Sequence, residues 1–213
     1  TDRRPMPLGP EGEGTLEGLL LHPELLREVD DWTRAAMGRS LRWEEVAQGR
    51  VRWHFSPVAD RGHDVDLQDA GEGPLQVLPV LTALAMRHDC VPAPQRLLAL
   101  EEPTTHLHED LQVRLTDKLC SVAGEKDPPQ LLVETHSRPV LLATQLALAE
   151  GRLAPDQVIL YWVEQDDRGR SRTERVTFSA DGHPESDRLI HEFQDEPRVA
   201  RALATRWADA GTQ

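Results

Sequence analysis

Two short apolar runs with an amphipathic helix between them constrain the fold of this chain more than any other feature. The first run, residues 97–100, is followed by Glu101, Glu102 and a proline, and the second is QLLVE at 130–134. Leucines recur between them every four residues, the spacing of one helical face, at Leu107, Leu111, Leu115 and Leu119. A strand, a helix and a strand in this order predict a parallel β-α-β unit whose strands are covered on both faces.

The flanking sequence continues the alternation of helices and strands. Further helices are predicted at 23–38, 77–87 and 137–151, and further strands at 51–55, 158–164 and through 176–178. We therefore expect an α/β fold in which a largely parallel sheet contains 97–101, 130–134 and 158–164. Helices should flank this sheet, and a hairpin with a mostly helical, polar tail should follow it.

Composition excludes several classes of protein. The net charge of −13 argues against a chain that coats nucleic acid or an anionic membrane with its whole surface. No apolar run approaches the roughly 18 residues of a membrane-spanning helix, and no basic-then-apolar leader begins the chain. The two cysteines, Cys90 and Cys120, form no C-x-x-C pair. We expect a cytoplasmic protein without a membrane partner.

Adjacent carboxylates at the end of a buried strand need a physical explanation, because like charges repel and burial makes ionisation costlier. In α/β folds, functional groups collect beyond the carboxyl ends of parallel strands, where Glu101, Glu102 and the segment 134–136 are predicted to lie. In a nucleotide-hydrolysing site, Glu101 could hold Mg²⁺ and Glu102 could act as the base. The alternative is that one glutamate caps the next helix and the other is solvated.

Two further segments have the chemistry of a phosphate site. ETHS at 134–137 places His136 beside the sheet edge, where an imidazole could hydrogen-bond a γ-phosphate or the attacking water; otherwise His136 only begins a helix. DAGEGPLQVLP at 69–79 places Gly71 and Gly73 before an apolar helix, so that backbone N–H groups could face an anion; otherwise it is an ordinary turn.

These segments together resemble the C-terminal half of an ABC-type ATPase head. The likeness is to the soluble AAA-type, ABC-like ATPases related to the overcoming-lysogenization-defect and SMC groups. It rests on LLALEEPTTHLHE, LLVETHS, GPEGEGTLEGLL and DAGEGPLQVLPVL, and it covers most of residues 8–180. The resemblance implies a P-loop-NTPase-like fold, of which this chain supplies the C-terminal lobe, with ATP and Mg²⁺ as cofactors.

Residue roles follow from the same resemblance. It assigns the Walker B acidic position to Glu101, the catalytic glutamate to Glu102 and the switch histidine to His136. Residues 104–108 would lie in the D-loop region. The segment 71–76 would be the signature loop, which contacts nucleotide across a head-to-tail dimer through Gly71, Gly73 and Gln76.

The sequence departs from this family in two places. Leu75 stands where the signature loop normally offers a serine hydroxyl to the γ-phosphate, so hydrolysis in trans is in question. No G-x-x-x-x-G-K-[ST] phosphate loop, whose backbone amides and lysine bind the β- and γ-phosphates, occurs in the 213 residues. We expect a P-loop lobe to be supplied by a missing N-terminal segment or by a separate subunit.

We accordingly divide the chain into three segments. Residues 1–60 lead into the lobe, residues 61–164 form the ABC-like C-terminal lobe, and residues 165–213 form the hairpin and helical extension. The rival function is a non-catalytic interaction or dimerisation module derived from such an ATPase.

The sequence also contains residues that could belong to other kinds of site. A zinc centre could use His106, His108 and Glu109 with Glu134 and His136, but this spacing is not diagnostic. A Toprim-type nuclease is rejected, because VEQDD at 163–167 lacks a following glycine and a later D-x-D. The arginines of the DDRGRSRTER segment could contact nucleic-acid phosphates, or they could form a solvated turn balanced by neighbouring aspartates.

Overall fold

The computed structural model describes residues 8–47, 49–59, 62–86 and 97–186. The chain divides into two compact units, one formed by Thr1–Arg114 with Asp127–Thr135 and the other by Leu115–Lys126 with His136–Gln213. None of the helices described in these ranges is long and apolar enough to cross a membrane. The division into segments 1–60, 61–164 and 165–213 stays a prediction.

The first unit begins with two helices and a small antiparallel sheet. Helices α1 (Thr15–Leu21) and α2 (Pro23–Met37) precede strands β1 (Arg39–Ala47), β2 (Arg50–Pro57) and β3 (Val65–Asp66), which pair in that order. Gly38 ends α2 in the left-handed conformation, with φ of 65°, as glycine does at many helix ends. Helix α3 (Glu72–Ala85) follows, and its apolar stripe is buried through Val77, Leu78, Leu81 and Leu84.

The predicted β-α-β unit is present. Strands β4 (Leu97–Glu101) and β5 (Gln130–Glu134) pair in parallel, and helix α4 (Glu109–Ala123) connects them, crossing from the first unit into the second at residue 115. The sequence therefore predicted both strands correctly. The prediction that both faces of these strands are buried is wrong, because Leu97 and Leu132 are each 59% exposed on one face of the pair.

The second unit consists of the C-terminal part of α4, helix α5 (Arg138–Ala149) and a hairpin of β6 (Leu160–Gln165) and β7 (Ser171–Val176). Ser137 caps α5 by accepting a hydrogen bond from the backbone N–H of Val140, as its position in the sequence predicted. The core of this unit forms where α4, α5 and the segment after β7 pack, with Cys120, Ala147, Leu148, Leu153 and Phe178 buried.

The predicted three-stranded parallel sheet is wrong in its third strand. A strand does form near 158–164, but within the described residues β6 pairs antiparallel with β7, from Leu160–Val176 to Gln165–Ser171, and β4 with β5 is the one parallel pair. The result is an α/β fold with mixed sheets. The polar tail predicted from about residue 186 lies almost wholly outside the described residues.

Burial makes Cys120 an unreactive thiol. Removal from water raises its pKa from 9.0 to about 11, against a smaller opposing effect of a hydrogen bond with Thr144. At pH 8 the thiolate fraction should therefore be about 100-fold lower than in the unfolded chain, and alkylation should slow accordingly. Peptide mapping after iodoacetamide treatment, with and without urea, measures this; rapid labelling of folded Cys120 would contradict it. The raised pKa also makes the unfolding free energy depend on pH. Because the unfolded thiol ionises at lower pH than the folded one, the contribution of protonated Cys120 to the unfolding free energy is complete below pH 9 and is lost as pH rises through 11.

Candidate functional site

The site is built at the carboxyl edge of β4 and β5. Because the strands are parallel and in register, with Glu101 opposite Glu134, both chains leave the sheet at the same edge. The ladder continues one step further, since the backbone N–H of Glu102 donates to the carbonyl of Glu134 at 2.9 Å. Glu102 is thus fixed to the end of β5 although it lies beyond β4.

The backbone of Glu102 turns sharply at this point. Its φ is 44°, in the left-handed region that residues other than glycine rarely occupy, at a cost of about 1–2 kcal/mol. The carbonyl of Glu102 accepts a hydrogen bond from the backbone N–H of Thr105 at 3.2 Å. Such a conformation persists only where surrounding contacts hold it, and it is common at functional sites.

The Glu102 carboxylate faces hydroxyl groups and a second carboxylate. Its Oε2 accepts hydrogen bonds from Thr105 Oγ1 at 3.3 Å and from Thr135 Oγ1 at 3.5 Å. Carboxylate oxygens of Glu102 and Glu134 lie within 4.8 Å of each other. Two carboxylates with hydroxyl oxygens around them are the hard oxygen donors that Mg²⁺ prefers, so these residues fit that cation.

The two glutamates of the EE pair occupy different environments. Glu101 is exposed and ends β4, whereas Glu102 is half-buried and hydrogen-bonded. Glu134 was missed as a primary site residue and considered only for the zinc alternative. Its position at the end of β5, matching that of Glu101 at the end of β4, was the signal in the sequence.

The predicted signature loop forms the start of α3. Gly71 is the N-cap residue with φ of 80°, and the Leu75 side chain is 43% exposed. Gly73 packs so closely that an added Cβ would lie 2.9 Å from the carbonyl oxygen of His106. Gln76 donates from Nε2 to the carbonyl of Glu102 at 3.0 Å, so this residue, predicted to contact nucleotide, instead contacts the predicted catalytic glutamate of its own chain.

The histidines lie in separate contexts. His136 is exposed, belongs to the second unit and immediately precedes the α5 cap Ser137. In the first unit, His106 Nδ1 lies 3.3 Å from Oε2 of Glu72, and both side chains are exposed. The role of His136 as a switch residue, like the zinc alternative, stays a prediction.

The arginine-rich hairpin turn is organised around Asp166. Its carboxylate accepts bonds from the backbone N–H groups of Arg168 and Arg170 and from Arg170 Nε, all at 2.9 Å. The backbone bond from Arg170 is the largest cause that lowers the pKa of Asp166. This network supports the interpretation as a solvated turn.

Comparison with known proteins agrees with this architecture. Residues 49–143 match the model of a family described as "AAA domain, putative AbiEii toxin, Type IV TA system". A search of curated proteins gave no match. A solved structure described as "Structural biochemistry of ATP-driven dimerization and DNA stimulated activation of SMC ATPases" is 13% identical with a TM-score of 0.55, over 85% of this chain and 98% of that chain.

Two further structures are heads of Smc proteins with a bound partner. One is the Smc head domain with an extended coiled coil bound to the C-terminal domain of ScpA, from Pyrococcus furiosus (14% identity, TM-score 0.52, 78% of this chain and 38% of that chain). The other is the SmcHead bound to the C-winged helix domain of ScpA (12% identity, TM-score 0.51, 80% of this chain and 48% of that chain). The chain spans less than half the length of these two.

The chain has the α/β fold of SMC ATPase heads. At these identities the likeness to solved structures establishes the fold alone. Together with the match over residues 49–143, it supports a relation to the ABC- and SMC-like P-loop ATPases.

Proposed function

We propose that the chain is the C-terminal lobe of an ABC-like ATPase, which completes an ATP site together with a P-loop lobe in a missing segment or a partner subunit. The observation that carries this proposal is the fixed, half-buried Glu102 carboxylate beside Glu134 at the carboxyl edge of a parallel strand pair. That arrangement supports the proposal because it offers the oxygen donors that Mg²⁺ prefers and a carboxylate that could accept a proton.

Each acidic residue has a distinct role in this proposal. Bound Mg²⁺ would neutralise charge on the phosphates of ATP. Glu134 would hold it beside Glu102, and Glu101, which lies opposite Glu134 in the strand pair, would add a further carboxylate. Glu102 would orient the attacking water and accept its proton, with its carboxylate held by the hydroxyls of Thr105 and Thr135. His136 would hydrogen-bond the γ-phosphate as the switch residue.

Exposed apolar surface supports the need for a complementary lobe. In the first unit, Leu97 and Leu132 lie uncovered on one face of the β4–β5 pair; in the second, Ile159, Tyr161 and Val163 are each about half exposed or more. Large apolar side chains at alternating strand positions are normally covered by a helix or another chain. The sequence also lacks the phosphate loop that such a lobe would bring.

The relatives support association as well. The structure of similar length is described by ATP-driven dimerization, and the two longer Smc heads bind ScpA. By analogy we propose that two heads associate head to tail through the start of α3, where Leu75 is exposed. Nucleic acid is an additional candidate partner, since the solved structure of similar length is described by DNA-stimulated activation, although the net charge of −13 disfavours it.

The second candidate function is a non-catalytic interaction module derived from the same fold. Leu75 in place of the signature serine is the observation that favours it, because a leucine cannot donate a hydrogen bond to a phosphate. The Glu102 geometry favours the enzyme, because a binding module has no need of a non-glycine residue held at positive φ.

Substitution of the metal-holding residue tests the proposed division of roles. In the complete protein, Glu101→Gln should raise the Mg²⁺ concentration needed for half-maximal ATP binding, since it removes one charge from the cation's surroundings. Fluorescent ATP titrated at several Mg²⁺ concentrations measures this shift. Glu17→Gln, at an exposed glutamate in the first turn of α1, is the matched control. An unchanged Mg²⁺ requirement in Glu101→Gln would remove Glu101 from the metal site.

A further inference from the structure

We infer that Gln76 is a positioning residue that holds the backbone of Glu102 in its left-handed conformation, an inference that rests on the proposed ATPase function. Gln76 lies in the second turn of α3, 26 residues before Glu102, and its Nε2 donates to the Glu102 carbonyl at 3.0 Å. The family resemblance predicts that this side chain contacts nucleotide. In the described structure its amide is directed at the catalytic glutamate of the same chain instead.

Three hydrogen bonds hold the peptide groups of Glu102, and they differ in origin. Its N–H donates to Glu134 as an extension of the strand ladder, and its carbonyl accepts from Thr105 within the local turn. The third comes from Gln76 on a separate helix whose apolar stripe is anchored in the core. Gln76 therefore couples the backbone of Glu102 to the position of helix α3.

The N-terminal end of α3 also contacts a second residue with a strained backbone, His106. In the described residues, Glu102 and His106 are the two non-glycine residues with positive φ, and His106 has φ of 62°. Glu72 pairs with the His106 ring at 3.3 Å, and Gly73 packs against the His106 carbonyl, where no Cβ could fit without displacement. Both left-handed turns of the β4–α4 loop (residues 102–108) are thus contacted by the first two turns of α3.

This coupling has a consequence for regulation. Leu75, the residue before Gln76 in α3, is exposed and available to a partner head. A partner that displaces the start of α3 would move the Gln76 amide and release the Glu102 backbone. The catalytic carboxylate would then be correctly placed only while α3 occupies the position seen here, which links turnover to the contacts that α3 makes.

The test removes the hydrogen-bond donor of Gln76 without changing the size of the side chain. Gln76→Glu keeps the size of the side chain, but a carboxylate cannot donate to a carbonyl and is repelled by it. Gln112→Glu is the matched control, because Gln112 Nε2 donates to the carbonyl of Leu107 at 2.8 Å at the other end of the same loop. In the complete protein we expect Gln76→Glu to lower kcat about 10- to 100-fold, with KM for ATP within about twofold, and Gln112→Glu to leave kcat near the parent value.

Amide hydrogen exchange gives a readout that needs no ATPase activity. In the 213-residue chain, exchange at the N–H groups of Glu102 and Thr105 should speed up at least about tenfold in Gln76→Glu and not in Gln112→Glu. Unchanged exchange, or faster exchange with unchanged kcat, would overturn the positioning role. Faster exchange in a complete protein that hydrolyses no ATP would support the contact and overturn the proposed function instead.

Discussion

Glu102→Gln in the complete protein should lower kcat for ATP hydrolysis by about 10²–10⁴-fold, the range typical of losing a general base, while ATP binding is retained. The amide is isosteric with the carboxylate, and its oxygen can still accept bonds from the hydroxyls of Thr105 and Thr135. What the substitution removes is the ability to take a proton from water. Steady-state phosphate release and equilibrium binding of a fluorescent ATP analogue measure the two effects separately.

A control variant separates the loss of a proton acceptor at Glu102 from the effect of removing one negative charge from the protein. Glu17→Gln removes one negative charge from an exposed position in α1, a helix that carries no predicted site residue, and should leave kcat unchanged. If Glu102→Gln retains full turnover in a protein that hydrolyses ATP, Glu102 is not the base. The EE pair would then be the solvated start of a loop.

Gly182→Ala should strongly destabilise the second unit. A Cβ at this position would overlap the backbone carbonyl oxygen of Gln145 and lie 3.0 Å from its carbonyl carbon, and the φ of 77° is itself unfavourable for alanine. The carbonyl of Gly182 also accepts a hydrogen bond from the buried Gln145 side chain at 2.9 Å. We expect a loss of at least about 3 kcal/mol in unfolding free energy, measured by urea denaturation.

Gly151→Ala is the matched control for this effect. Gly151 has φ of 69°, nearly that of Gly182, but an added Cβ there would meet nothing within 4 Å. It should therefore show only the backbone cost of about 1–2 kcal/mol. Equal losses in the two variants would mean that Gln145 moves aside and that the close packing of Gly182 contributes little.

Local patterns in the sequence were sufficient for most elements of the fold. The apolar runs gave β4 and β5 at their observed bounds, and Ser137 before a proline gave the start of α5, because these signals depend on residues close in sequence. The DDRGR turn predicted a hairpin after 158–164, but not that β6 would lie outside the sheet of β4 and β5. An apolar strand can pair on either edge, and here the DDRGR turn brings β7 to it first.

The sequence predicted which residues lie at the ends of β4 and β5, but not the geometry of the candidate site. The end of each strand gave Glu101, Glu102 and the ETHS segment. The left-handed backbone of Glu102 leaves no mark in the sequence, because glutamate is not a residue that favours positive φ. The bond from Gln76 to Glu102 spans 26 residues and depends on how α3 packs, so only the folded structure could show it.

Titration of Mg-ATP into the isolated 213-residue chain tests the central claim most directly. A half-site without the phosphate-binding amides and lysine should give no saturable heat up to roughly millimolar ATP and no increase in Tm with added ligand. Addition of a P-loop lobe that binds the chain should restore binding. Saturable binding by the chain alone, with a dissociation constant of about 1–10 µM, would contradict the claim that this chain holds only half of the nucleotide site.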